Sequence, residues 1–103
     1  MTTSAEELHS QTQAAAKSLE KMTVKEREQR PYSTFASNYN NLLALAKESM
    51  PTVDDRRWPP AIEIDVSEGG ASVRANYAEI FSYYSQMASI LATGIQPLEF
   101  GSF

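Results

Sequence analysis

The sequence predicts a mainly α fold: a compact three-helix arrangement with a small β-hairpin, over about residues 62–75, ahead of the last helix. Three observations carry this. Two stretches, Ser33–Met50 and Tyr77–Gly94, repeat apolar side chains at the 3.6-residue period of a helix. A third, Ser4–Met22, is rich in Ala, Glu, Lys and Leu, the strongest helix formers. Between the later two, "AIEIDVSEGGASVRA" changes to strict alternation around a glycine pair.

The first helix opens on Ser4 with Glu7 three residues later, the spacing of a capping box. Its apolar seam is thin: Leu8, Ala15, Leu19 and Met22, with Thr12 between them. Such a helix forms readily and buries little, so it must lean on a larger core or on another copy of itself. Thr23 and Glu26 repeat the capping signal, which favours a break and a short restart before Pro31.

In "YSTFASNYNNLLALAKESMP", Ser33 is the expected cap and Pro51 the stop. Phe35, Tyr39, Leu42, Leu43, Ala46 and Met50 share one face. In the alternating stretch, Ile62, Ile64 and Val66 point one way and Glu63, Asp65 and Ser67 the other. "EGG" supplies turn chemistry and "ASVRA" the return strand; the competing reading starts the last helix near Ser72. A lone two-stranded hairpin is marginal in water, so this one has to pack on the helices. Asn76 and Glu79 then cap the last helix, whose broad apolar face comprises Tyr77, Ile80, Phe81, Tyr84, Met87, Ala88 and Leu91. Gly94 suits a left-handed C-terminal stop.

The expected organisation is a single domain over residues 1–103, with a frayed start at 1–3 and an apolar tail at 95–103 holding Ile95, Leu98, Phe100 and Phe103. A composition of 42% hydrophobic and 21% charged residues suits a soluble globular chain. The net charge of −4 is uneven: Arg74 faces Glu63, Asp65, Glu68, Glu79 and Glu99 beyond residue 60, while the acids and bases before it cancel. No uncompensated basic cluster is available for phosphate binding, so no nucleic-acid partner is expected. The absence of cysteine removes thiolate catalysis and Cys-ligated zinc. A single imidazole, His9, and carboxylates without calcium-loop spacing give no expected metal site, and nothing points to a cofactor. No signal-like start and no apolar run of about 20 residues is present, so a cytoplasmic chain that does not span a membrane is the expectation.

The last helix carries the most informative anomaly. Between Asn76 and Thr93 the one group ionised at neutral pH is Glu79; the positions away from the apolar face are Ala78, Ser82, Ser85, Ser89 and Ala92. A second apolar line, Tyr83, Met87, Ile90 and Gly94, widens the apolar arc to about half the circumference. Either neighbours within the chain cover both sides of this helix, or part of it meets another protein surface.

"DDRRWPP" presents the only tryptophan on a stiff Pro-Pro path beside Arg56 and Arg57. Trp and Arg are common anchors at interfaces; the alternative is that Trp58 plugs the end of the core while Asp54 and Asp55 balance the arginines. Adjacent carboxylates diverge on an extended backbone, so no catalytic residues are assigned there. The functional expectation is a non-catalytic protein that acts by association, as a homodimer, adaptor or regulatory subunit. Its expected contact residues are Arg56, Arg57, Trp58, Tyr83, Met87, Ile90, Leu98, Phe100 and Phe103. The alternative is a small-ligand site or minor enzyme using Tyr32, Tyr39, Tyr77 and Tyr84 with the arginines.

Overall fold

The structure, a computed structural model, describes residues 4–94. Its elements run α1 (Ala5–Glu20), α2 (Val24–Arg27), α3 (Ser33–Ser49), a 3-10 turn (Asp55–Arg57), β1 (Ile64–Ser67), β2 (Gly70–Val73) and α4 (Tyr77–Thr93). The mainly helical class with a hairpin before the last helix is thus observed, and the restart at Thr23 yields α2 as a single extra turn.

The caps account for these boundaries. Ser4 accepts from the Glu7 amide at 3.2 Å and opens α1. At α2 the capping box closes in both directions, with Glu26 accepting from the Thr23 amide at 2.8 Å and Thr23 from the Glu26 amide at 3.2 Å. Asn76 and Glu79 do the same for α4. Two expectations at helix ends are corrected. The N-cap of α3 is Tyr32 rather than Ser33, and it makes no side-chain capping bond. Gly94 is right-handed, at φ −92°, with its amide donating to the Leu91 carbonyl at 3.0 Å. A Cβ there would lie 2.9 Å from the Met50 methyl, the far end of a flexible side chain that can move aside.

The core is built where α1, α3 and α4 meet. Leu8, Thr12 and Leu19 come from α1, Ala36, Tyr39, Leu43 and Ala46 from α3, and Ile80, Tyr84, Met87, Ile90 and Leu91 from α4. Thr12 is the buried polar side chain of this set; its hydroxyl donates to the Leu8 carbonyl at 2.6 Å and lies 3.8 Å from the Met87 sulfur. A burying hydroxyl needs such a partner to avoid an unmet desolvation cost. Aromatic rings fill the α3–α4 contact edge to face: Phe35 against Tyr77 at 5.4 Å and Tyr39 against Tyr84 at 5.2 Å between centroids.

β1 and β2 pair antiparallel with Ile64 opposite Val73 and Ser67 opposite Gly70. Gly70 has φ +123°, a value that side-chain-bearing residues rarely adopt, which is why the turn needs a glycine there. The base of the hairpin packs through Ile62, Val73 and Ala75, all buried. Its tip extends past the bundle, so Val66 is 81% exposed although it continues the Ile62–Ile64 alternation. Two anchors hold the incoming segment to α3. Tyr39 donates its hydroxyl to the Pro60 carbonyl at 2.8 Å. The Asn40 amide pairs twice with Ile62, accepting from its N–H at 2.8 Å and donating to its carbonyl at 3.0 Å.

Candidate interaction surface

The described chain covers only one side of α4. Ala78, Ser82, Ser85, Ser89 and Ala92 are exposed. Their alternating four- and three-residue spacing keeps them on one line along the helix, close to a 3.5-residue repeat. Glu79, at the first turn, is the one group on this helix that is ionised at neutral pH. The outer face is therefore small, neutral and open to contact, and intramolecular packing from the described residues does not account for the missing charges.

Beside this line runs an open cleft of about 390 Å³ between α1 and α4. From α4 it takes Phe81, Ser85, Ala88, Ser89 and Ala92; from α1 it takes His9, Gln13, Ala16, Lys17 and Glu20. The apolar atoms come from both helices, while the ionisable groups, His9, Lys17 and Glu20, all stand on the α1 wall. Arg27 closes the Glu20–Phe81 end: its guanidinium carbon lies 5.1 Å from the Phe81 ring centroid and its Nη2 donates to the Glu20 carbonyl at 2.7 Å. Arg27 Nε is buried without a hydrogen-bond partner among the described residues.

The expected contact residues divide between several environments. Arg56 and Arg57 are exposed, but Trp58 beside them is 6% exposed and belongs to the core cluster. The neighbouring acids are engaged otherwise than expected. Asp54 accepts from the Arg56 amide at 2.9 Å and caps the 3-10 turn, while Asp55 pairs with Lys47 at 3.1 Å. Met87 and Ile90 are buried too, and Tyr83 is half-buried with its ring 6.0 Å from that of Tyr39. This burial has a plain cause. Positions 83, 87 and 90 lie on the same arc as Ile80, Tyr84 and Leu91, and α1 and α3 cover that arc; Trp58, Met87 and Ile90 present no free apolar surface to a partner. Leu98, Phe100 and Phe103 lie outside the described residues.

The four tyrosines proposed to line a ligand site are not gathered around a cavity. Tyr32 is 85% exposed; Tyr39 and Tyr84 are buried and packed on one another; Tyr77 packs on Phe35. Burial raises the Tyr39 phenol well above its ordinary range, with Tyr83 and Tyr84 adding to the effect, and pushes Tyr84 up to about 12. Both hydroxyls stay protonated at neutral pH; both rings act in packing, and the Tyr39 hydroxyl also donates to the Pro60 carbonyl. Tyr83 does line a second open cleft, of about 380 Å³, with Pro60, Ile62, Glu63, Arg74 and Ala75. Arg74 is already paired with Asp65 there, which raises its pKa.

Among the described residues no cluster of three or more His, Asp or Glu side chains is placed to hold a metal ion. None of their helices is long and apolar enough to cross a membrane. No protein-family model, curated protein or solved structure matches this chain. Its functional reading therefore rests on its own geometry.

Proposed function

We propose that the protein works by association, with the neutral face of α4 and the adjoining α1–α4 cleft as its contact surface and a second copy of the chain as its first partner. The observation that carries this reading is the exposed line Ala78, Ser82, Ser85, Ser89 and Ala92 on a helix whose only ionised group is Glu79. Charged residues are depleted at the centres of interfaces because desolvating them is costly; the α4 side of this surface requires no such desolvation, and the charges of the cleft stand at its α1 edge. Small side chains let a second helix backbone approach closely, a rule best established in membranes. Pairing about a two-fold axis sets the same face on both copies, so a single line of residues suffices.

The mass in solution tests it. Light scattering on size-exclusion fractions should show the mass rising from one chain toward two across the micromolar range. Ser85→Glu, at the middle of the line, should hold the chain at the mass of one copy with its helical circular dichroism unchanged. A wild-type mass of one chain at every concentration, with no response to Ser85→Glu, overturns the self-association reading.

A further inference from the structure

We infer that residues 95–103 of the same chain occupy the α1–α4 cleft and compete there with a partner, an inference that rests on reading the α4 face as a contact surface. The sequence of this segment, "IQPLEFGSF", holds four large apolar side chains in nine residues and one charge, Glu99. It leaves α4 at Gly94, two residues beyond Ala92, which lines the cleft. The cleft offers what such a segment needs: apolar atoms of Ala16, Ala88, Ala92 and Phe81, the neutral Ser85 and Ser89, and Lys17 opposite in sign to Glu99, with Glu20 of like sign at the Phe81 end.

The lengths agree. From Ala92 back to Phe81 the cleft follows α4 for roughly 16 Å, at about 1.5 Å of rise per residue. A chain of nine residues has a root-mean-square span of about 15–18 Å and a maximum near 30 Å, so it reaches the whole cleft without being drawn taut. A short connection presents the segment at an effective concentration of about millimolar, so a second chain has to displace it and its apparent affinity falls severalfold.

The chain has no cysteine, so Ser102→Cys carries a single nitroxide label on the full-length protein with all four apolar residues kept. In dilute solution the label should selectively weaken the amide resonances of Gln13, Ala16, Ala88, Ser89 and Ala92 and spare the turn at Glu68–Gly70. Leu98→Ser with Phe100→Ser should restore those signals and lower the dissociation constant for self-association severalfold, because the competitor is gone. Weakening that is uniform along the chain and indifferent to the double substitution overturns the inference. So does weakening seen only when labelled, isotope-free chains are mixed with unlabelled, isotope-enriched ones, since the segment then comes from a second copy. Failure here together with a dimer sensitive to Ser85→Glu leaves the association reading standing. The segment held in the cleft, with one-chain mass even in the double variant, removes the self-association reading and keeps this one.

Discussion

Replacing Trp58 by alanine separates a core role from a partner role, since the same residue type suits either. In the structure the ring is 6% exposed within the main core cluster. An aromatic side chain of this class buries about 150–250 Å², which at about 25 cal/mol per Å² corresponds to roughly 4–6 kcal/mol. Alanine retains part of this, and buried aromatic-to-alanine changes cost about 3–5 kcal/mol. For a chain of this size each kcal/mol moves the melting temperature by about 4–8 °C, so Trp58→Ala should lower it by about 12 °C or more. Far-ultraviolet circular dichroism during heating measures this, and Trp58→Phe should recover much of the loss because it keeps an apolar ring. A shift below about 4 °C, under 1 kcal/mol, would refute the core placement and return Trp58 to the surface.

Asn40→Ala removes both hydrogen bonds to Ile62 and should destabilise the fold by about 1–3 kcal/mol, from two bonds at about 0.5–1.5 kcal/mol each. Amide exchange at Ile62 should accelerate, and retained protection there would contradict the anchor. Tyr39 and Tyr84 predict alkaline sensitivity. Their folded pKa values lie above the unfolded value near 10, so their contribution is complete below about pH 10 and is lost as pH rises through the folded values, by up to ~1.4 kcal/mol per pH unit for each group. Tyr84→Phe should roughly halve the slope of stability against pH between about 10 and 12; an unchanged slope in denaturant titrations would count against its burial. Thr23→Ala opens the capping box of α2 and should cost about 1 kcal/mol, read from the denaturation midpoint.

Much of the fold was legible because it rests on local chemistry. Leu8, Thr12 and Leu19 recur at helical spacing and become the buried stripe of α1; Thr23–Glu26 and Asn76–Glu79 are spaced as capping boxes and form them. The glycine pair at 69–70 fixed the hairpin turn. What escaped reading depends on partners distant in sequence. Nothing around Asn40 announces Ile62 as its partner. Ala36, buried in α3, was passed over because a small residue adds little to an apolar pattern.

The candidate surface was half legible. The deficit of charge on α4 is a sequence property, but the arc that faces inward is set by where α1 and α3 pack. That placement took Met87 and Ile90 into the core and left Ser85 and Ser89 outside. The cleft beside them is legible only in three dimensions, because its walls come from segments some seventy residues apart. Helical periodicity assigns a residue to an arc; only tertiary packing decides which arc is covered.

The most direct test of the contact surface follows backbone amide resonances of the full-length protein as its concentration is raised. Signals of Ala78, Ser82, Ser85, Ser89 and Ala92, with Gln13 and Lys17 across the cleft, should shift together along one saturating curve, while those of the hairpin stay fixed. Spectra that superimpose at all concentrations, or shifts centred on the hairpin and α3, would contradict the account.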